Sequence, residues 1–161
     1  MYPYIHKVQY YETDKMGITH HSNYIRWMEE ARLAFLEHLG YRYGKLERDG
    51  ICSPVIGVEC QYRHLTTFDD EVAITVTVEE FKGVRLVIRY QMTNANTGEL
   101  VLDGKTTHCF TDSRGKPIVL KKQFPEMDRL LKSLTLARIP FQKKGRFLDY
   151  WVTGFPPYEK R

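Results

Sequence analysis

Apolar and polar positions follow two different periods along the chain, and the change of period marks its first two elements. Residues 4 to 11, YIHKVQYY, alternate loosely, which predicts a first strand ending in a turn around Asp14 and Gly17. From Tyr24 to Leu39 the apolar residues recur at steps of three and four. The other side of this segment is mostly polar, with Arg26, Glu29, Glu30, Arg32 and Glu37. The second segment is therefore predicted to be one amphipathic helix of about four to five turns.

The two ends of this helix carry residues that favour helix termini. Ser22 or Asn23 is a candidate N-cap, and Gly40 is placed to stop the helix. The polar link that follows, YRYGKLERDG, is long enough for a short helix.

The segment after this link is strand-like for about sixty residues. The candidate strands are 53–62, 71–81, 84–94 and 100–111. Lys82 and Gly83 form a short hairpin signal, and NANTGE supplies the next turn. Tight turns predict an antiparallel meander, because parallel neighbours would need long crossovers. The fold class is therefore α+β, with an antiparallel sheet of about five strands whose apolar face is covered by the single long helix.

The C-terminal part differs in composition from the rest. A turn at SRGKP leads to a predicted last helix over 125–134, which Pro125 opens. The tail from Arg138 onward mixes aromatic residues, prolines and basic residues without a clear period, so it could pack on the domain, pair with a partner chain or stay disordered. We interpret residues 1–120 as the main unit and 121–161 as a basic, aromatic extension of the same domain.

Length and composition indicate one domain, since 161 residues at 42% hydrophobic can bury a sizeable core. The formal charge of +4 arises in residues 121–161, which hold 10 Lys+Arg against 4 Asp+Glu; residues 1–120 hold 14 against 16. These charges are scattered, and no nucleic-acid recognition module accompanies them. A solvated surface is as good an interpretation as contact with nucleic acid, an anionic membrane or a phosphorylated ligand. Because no run of about 18 apolar residues occurs, we expect neither a signal peptide nor a membrane span. We therefore expect a cytoplasmic protein.

Several familiar kinds of site are excluded because the sequence lacks their motifs. Cys52, Cys60 and Cys109 are an odd number at wide spacing, which argues against a disulfide framework or a zinc knuckle and predicts buried thiols. The chain contains no GxSxG, GxGxxG, GxxxxGK[ST] or HExxH pattern. Adjacent His20 and His21 would point in different directions on either a helix or a strand, so we expect no metal site there.

The candidate chemistry lies between the first strand and the helix. Asp14 stands in a turn whose Gly17 permits a tight backbone, and the helix begins about seven residues later. Free N–H groups at a helix start can polarise a carbonyl, while a carboxylate activates water or attacks directly. These are the minimal groups for acyl transfer. From the residues alone, a helix cap or an Asx-turn is the commoner role of such an aspartate.

The spacing of residues in this region resembles a family signature. The residues are Tyr11, Thr13-Asp14, Gly17-Ile18, His21, Tyr24, Glu29 and Ala31-Arg32. They are similar to the signature segment of the 4-hydroxybenzoyl-CoA thioesterase-like branch of the hotdog-fold acyl-CoA thioesterases. Later, SPVIGVECQYRHLTTFDDEV resembles the family's strand and following loop, and SRGKP its last hairpin region. The resemblance covers about residues 4–120.

This resemblance implies a hotdog fold, an acyl-CoA substrate, and self-association as dimers or tetramers of dimers with active sites between subunits. Asp14 matches the family's catalytic carboxylate, acting as nucleophile or as general base. The backbone N–H of His21 matches the donor that polarises the thioester carbonyl, and the His21 side chain is given a supporting role. Gly17 and Tyr24 are interpreted as the turn and the wall of the substrate pocket. No metal or redox cofactor is implied.

Coenzyme A carries phosphates, so cations are expected near the pocket mouth. The candidates are Arg63, Arg114, Lys116, Lys121 and Lys122. Two departures from the family pattern, His20 in place of a Tyr and Lys15-Met16 in place of two small residues, alter the pocket entrance. A noncatalytic hotdog protein that binds acyl-CoA or an acyl-carrier protein is the alternative, and a helical carboxylate from Glu29 or Glu30 is a weaker one.

Overall fold

The structure, a computed structural model, describes residues 3–136. The strands are β1 (Tyr4–Lys7), β2 (Val55–Tyr62), β3 (Glu71–Phe81), β4 (Arg85–Asn94) and β5 (Leu100–Cys109). The helices are α1 (Ser22–His38), α2 (Tyr43–Arg48), α3 (Leu120–Gln123) and α4 (Pro125–Leu136), and a 3-10 turn spans Tyr10–Glu12. The α+β class, the long helix and the five-stranded antiparallel sheet are confirmed. The predictions for the tail from Arg138 onward lie outside the described residues.

The first strand is shorter than the predicted 4–11. After Lys7 the chain turns inward, and the buried Val8 donates its N–H to the carbonyl of Asp70 at 2.9 Å. Tyr10–Glu12 then coil into the 3-10 turn, because the Glu12 side chain accepts the backbone N–H of Gln9 at 2.8 Å in a capping box.

Both ends of α1 are defined by backbone geometry. The helix begins at Ser22, and its N-cap is His21, so the prediction of Ser22 or Asn23 as N-cap is wrong. Asn23 lies inside the helix, and its side chain bonds to another segment. At the other end Gly40 has φ +88°, and Tyr41 donates its N–H to Leu36 at 2.9 Å, which is the Schellman pattern of a helix stop. The prediction for Gly40 is confirmed.

The strand order is β1-β3-β4-β5-β2, and every neighbouring pair is antiparallel. Strands β3, β4 and β5 form the predicted meander, but β2 pairs with β5 rather than with β3, so the four-strand meander is wrong. The link between β2 and β3 comprises residues 63–70, so a two-residue hairpin does not join these strands. Eight extended residues reach about 26 Å, whereas three strand spacings amount to about 14 Å. The link can therefore cross the sheet, and β2 becomes an edge strand.

Helix α1 packs closely on one face of the sheet. Its residues Trp27 and Met28 are fully buried between the helix and the sheet. Gly104 on β5 allows this approach, because a Cβ built there would overlap the Met28 Cε and lie 3.0 Å from the carbonyl oxygen of Glu59. The core therefore depends on the absence of a side chain at one sheet position.

The remaining elements close the ends of the core. The short helix expected after Gly40 is present as α2 and buries Leu46, while α4 buries Met127 and Leu131. Cys52, Cys60 and Cys109 are free but half-buried, which corrects the prediction of buried thiols. Within residues 3–136, no helix is both long and apolar enough to span a membrane.

Candidate active site

Asp14 lies in a short hairpin between the 3-10 turn and α1. Thr13 and Thr19 form an antiparallel bridge, and Asp14 donates its N–H to the carbonyl of Ile18 at 2.9 Å. Gly17 closes the turn with φ +73° and donates its N–H to the Asp14 carbonyl at 2.9 Å. The positive φ gives the physical reason for glycine here. The hairpin fixes the backbone on both sides of Asp14.

The Asp14 carboxylate is half-buried, and its two oxygens differ in their contacts. Oδ1 accepts the N–H of Met16 at 2.8 Å, which is the Asx-turn that the residue types allowed. Oδ2 has no hydrogen-bond partner among residues 3–136. One oxygen therefore holds the orientation of the group, and the other is available to a water molecule or a substrate.

The N-terminus of α1 keeps an open backbone donor, although the Ser22 N–H donates to Nδ1 of His20 at 3.4 Å. His21, the N-cap, makes no side-chain capping bond, and its own N–H has no acceptor within the described part of the chain. His20 and His21 are exposed, with ring centroids 4.2 Å apart, and the Nδ1 of His20 lies 2.8 Å from the Ser22 hydroxyl. The helix start therefore offers an open backbone donor with the positive end of the helix dipole behind it.

Glu12 joins the Asp14 hairpin to the helix start through its backbone carbonyl. That oxygen accepts the N–H of His20 and the side-chain amide of Asn23, both at 2.8 Å. Glu12 is two residues before Asp14, and Asn23 is two residues after His21. The two candidate catalytic groups are therefore connected through one carbonyl.

The side chain of Glu12 makes a second connection to the same helix. It is buried, and its Oε1 accepts the indole N–H of Trp27 at 2.8 Å. Its Oε2 accepts the Gln9 N–H at 2.8 Å and lies 2.9 Å from Nε2 of His6. Burial by itself would raise the pKa of Glu12, but hydrogen bonds from Gln9, His6 and Trp27 outweigh it and hold that pKa below its ordinary value.

Tyr24 forms a buried wall behind the helix start, as predicted for its place on the apolar stripe. Its hydroxyl lies 2.8 Å from the Thr66 hydroxyl, which lies 2.7 Å from the hydroxyl of Thr19. Tyr62, at the end of β2, donates its hydroxyl to the His21 carbonyl at 3.1 Å and contacts the Tyr24 ring edge-on. The link 63–70 and the end of β2 therefore border the site.

The predicted cations divide between two ends of the sheet. Arg63 is exposed and directly follows Tyr62, so it lies at the Asp14 end. Arg114 and Lys116 line a cleft with Lys122 beyond the other end of β5. Strand β5 has 10 residues, and a strand of that length spans about 30 Å. Within one chain, the structure does not bring Arg114 and Lys116 together with Asp14.

A second polar cluster lies in the core, away from Asp14. Arg32 and His108 are buried, although the helical pattern was interpreted as placing Arg32 on the polar side. Arg32 follows Met28 by four residues, and this spacing is the sequence signal that could have placed it on the buried face. His108 also lies 2.7 Å from the hydroxyl of Thr106, which in turn lies 2.9 Å from the hydroxyl of Tyr90.

Sequence reasoning missed Glu12, Tyr62 and Thr66 as parts of the site. Tyr62 and Thr66 contact His21 and Tyr24 from 41 and 42 residues away in sequence. The residue types of Glu12, Tyr62 and Thr66 carry no signal for these contacts. Arg63 was identified only by its position near a turn.

Comparison with known proteins identifies the family of this chain and several of its relatives. Residues 8–142 match the model of the thioesterase-like superfamily. The chain is 34% identical over 121 residues to the putative acyl-CoA thioesterase YneP of Bacillus subtilis, covering 74% of this chain and 87% of that protein. It is 25% identical over 116 residues to the acyl-CoA thioester hydrolase YbgC of Escherichia coli O6:H1, covering 72% of this chain and 87% of YbgC.

A solved structure shares the fold as well as the sequence. The DHNA-CoA thioesterase of Staphylococcus aureus superposes with a TM-score of 0.78 at 32% identity, covering 83% of this chain and 89% of that chain. Asp14 lies within residues 8–142, the range that matches the family model.

Proposed function

We propose that this chain, which belongs to the thioesterase-like superfamily and is a thioester hydrolase, hydrolyses an acyl-CoA to a free carboxylic acid and CoA. One observation carries the proposal: the unpaired Oδ2 of Asp14 is held by a hairpin bonded to the open N-terminus of α1. A carboxylate and an amide donor are the two groups that attack on a thioester requires. YneP and YbgC are named as enzymes of acyl-CoA thioesters, which supports this substrate class.

The proposed reaction uses Asp14 and the backbone of His21. With Asp14 as general base, Oδ2 takes a proton from water while the water oxygen bonds to the thioester carbon. The N–H of His21 donates to the oxygen that gains negative charge. The carbon–sulfur bond then breaks, and the CoA thiolate leaves with the acid as the other product.

Asp14 can also act as the nucleophile. Oδ2 then bonds to the acyl carbon, the thiolate leaves, and water hydrolyses the resulting anhydride. Single turnover in ¹⁸O-water separates the two routes if water attacks the Asp14 carbonyl carbon of the anhydride, because label then enters Asp14. The exposed His21 ring has a supporting role at this end of the site, orienting water or the leaving thiolate. Gly17 and Tyr24 shape the pocket.

We propose that the enzyme self-associates through β2. This strand pairs only with β5 within the described residues, and three of its apolar side chains are exposed: Val55 by 45%, Ile56 by 60% and Val58 by 40%. An unpaired apolar edge strand is a template for pairing with another chain. Two β2 strands that pair antiparallel about a two-fold axis would extend the sheet across both chains.

This pairing would bring the predicted cations of one chain close to the Asp14 of the other. In an antiparallel β2 pair, the Tyr62 end of one chain faces the Val55 end of the other. The cleft with Arg114 and Lys116 lies beyond that second end, so the partner's Arg114 would approach this chain's Asp14. We propose that Arg63 and the partner's Arg114 and Lys116 bind the phosphates of CoA.

Residues 1–120 and the extension 121–161 are proposed to form one domain, which is supported by Met127 and Leu131 in the core.

A panel of acyl-CoA thioesters of different chain length and aromatic character tests the function. Saturable release of free thiol supports hydrolysis, and the best substrate defines the acyl preference. Saturable binding of an acyl-CoA without thiol release across the panel would favour the alternative, a noncatalytic protein. Repeating the panel with acyl-carrier-protein thioesters identifies the carrier that the site accepts.

A further inference from the structure

We propose that Glu12 is a positioning residue, whose buried carboxylate holds the Asp14 hairpin in register with the start of α1. The inference rests on the proposed function, because it assigns Asp14 and the His21 N–H to one reaction. Both carboxylate oxygens of Glu12 are engaged by Gln9, His6 and Trp27, so Glu12 acts through the backbone on either side.

The geometry makes Glu12 the common point of three segments. Its carboxylate bonds to the Gln9 N–H before the hairpin and to the indole of Trp27 in the middle of α1. Its carbonyl bonds to the His20 N–H and to the side chain of Asn23 at the helix start. All four distances are 2.8 Å. A shift of Glu12 would therefore move Asp14 and the helix start relative to each other.

These contacts require a group with two acceptor oxygens. A backbone N–H and an indole N–H can only donate, and both oxygens of Glu12 are needed to accept from them. A glutamine has one amide oxygen and one amide NH₂, so in either orientation one of the two donors would face another donor. Both alternatives leave a buried polar group without its partner, which is costly.

His6 supports the charge of this carboxylate from outside. Its Nε2 lies 2.9 Å from Glu12 and its Nδ1 lies 3.2 Å from Glu30, while its ring stacks on Trp27 with centroids 4.4 Å apart. Tyr4 donates its hydroxyl to the same Glu30 carboxylate at 2.9 Å. Side chains of β1 and α1 therefore enclose Glu12 and limit its movement.

The first experiment compares Glu12→Gln with a matched control, Asp128→Asn. Asp128 is a buried carboxylate on α4, its Oδ2 pairs with Lys132 at 2.7 Å, and α4 carries none of the proposed site residues. Since a misplacement of about 1 Å can cost about 100-fold in rate, we expect Glu12→Gln to lower kcat at least about tenfold, with KM changed by less than about threefold. Asp128→Asn is expected to retain kcat within about twofold.

A double-mutant cycle with Trp27→Phe tests the direct contact. The phenyl ring keeps most of the packing but removes the indole donor, so a glutamine at position 12 can give its one oxygen to the Gln9 N–H. Glu12→Gln is then expected to cost less than about threefold in kcat in the Trp27→Phe background. Equal costs in both backgrounds would overturn the proposed contact.

Amide hydrogen exchange provides a readout that does not need catalysis. The His20 N–H, which bonds to the Glu12 carbonyl, and the amides of 13–19 are expected to exchange at least about tenfold faster in Glu12→Gln and unchanged in Asp128→Asn. Unchanged exchange and an unchanged kcat in Glu12→Gln would overturn the inference. If the wild type hydrolyses no acyl-CoA, the proposed function fails, and the exchange rates still decide whether Glu12 holds the hairpin.

Discussion

The guanidinium Nη1 of Arg32 lies 2.9 Å from Nδ1 and 3.0 Å from Nε2 of His108, deep in the core between α1 and β5. A guanidinium can only donate, so His108 must present a lone pair and its ring is neutral. Arg32 forms no ion pair with any carboxylate in residues 3–136. Burial, together with the Arg32 charge, lowers the pKa of His108 to about 4.

Stability should therefore depend on pH through His108. Its pKa is about 4 in the folded protein, against 6.5 for an ordinary histidine. The unfolded chain binds the proton more readily. The contribution of His108 to the free energy of unfolding is therefore complete above pH 6.5 and is lost as the pH falls toward 4. The loss reaches about 3 kcal/mol in the free energy of unfolding.

Urea unfolding at pH 7.5, 6, 5 and 4.5 measures this dependence. Above pH 4.5 the contribution of Glu12 remains in place, because its folded pKa is held below the ordinary carboxyl range. His108→Gln should flatten the profile between pH 6.5 and 4.5. A profile that keeps its slope in His108→Gln would contradict the assignment.

Gly104→Ala should destabilise the fold. The new methyl group would overlap Met28 and press on the Glu59 carbonyl, which belongs to the backbone and cannot rotate away. We expect a loss of about 1–3 kcal/mol in thermal or urea unfolding. Gly44→Ala in α2 is the control, because its Cβ would meet only the end of the Arg48 side chain at 3.8 Å. That variant should be unchanged or more stable by up to about 1 kcal/mol.

Ile56→Lys should weaken self-association through β2. Ile56 is 60% exposed on the edge strand, and a lysine placed there brings two like charges together across a two-fold axis. Light scattering after size-exclusion chromatography is expected to give a smaller species than the wild type at equal concentration. Ile5→Lys, at an exposed apolar residue of β1 on the opposite edge of the sheet, should retain the wild-type mass. An unchanged mass for Ile56→Lys would show that β2 does not form the interface.

Mixing two inactive chains tests whether the site combines residues of two subunits. A dimer of one Asp14→Asn chain and one Arg114→Ala/Lys116→Ala chain holds one fully intact site only if Arg114 and Lys116 serve the partner's Asp14. At low acyl-CoA concentration, co-refolding equal amounts should then recover about a quarter of wild-type activity. Activity no higher than the mean of the two variants would place these residues outside a shared site.

The periodic parts of this molecule were predictable, while its through-space contacts were not. Helix α1, its Gly40 stop and strands β3 to β5 follow from apolar spacing and turn residues. The β2–β5 pairing was missed because a link of eight residues, 63–70, permits either a neighbouring or a distant partner. Asp14 was proposed as the catalytic acid from its turn and from its resemblance to a family signature, and this role stays a prediction. Glu12 was not found, because its partner Trp27 is fifteen residues away in sequence.

The most direct test of the central claim is thiol release from the best acyl-CoA substrate by Asp14→Asn. This change keeps the shape of the residue and an oxygen for the Met16 N–H, but removes the negative charge at Oδ2. Asp128→Asn is the control, because Asp128 is a carboxylate with its Oδ2 2.7 Å from Lys132, on α4, which carries none of the proposed site residues. We expect kcat to fall at least about 100-fold in Asp14→Asn and to stay within about twofold in Asp128→Asn. Near-wild-type hydrolysis by Asp14→Asn of every accepted acyl-CoA would contradict Asp14 as the essential acid.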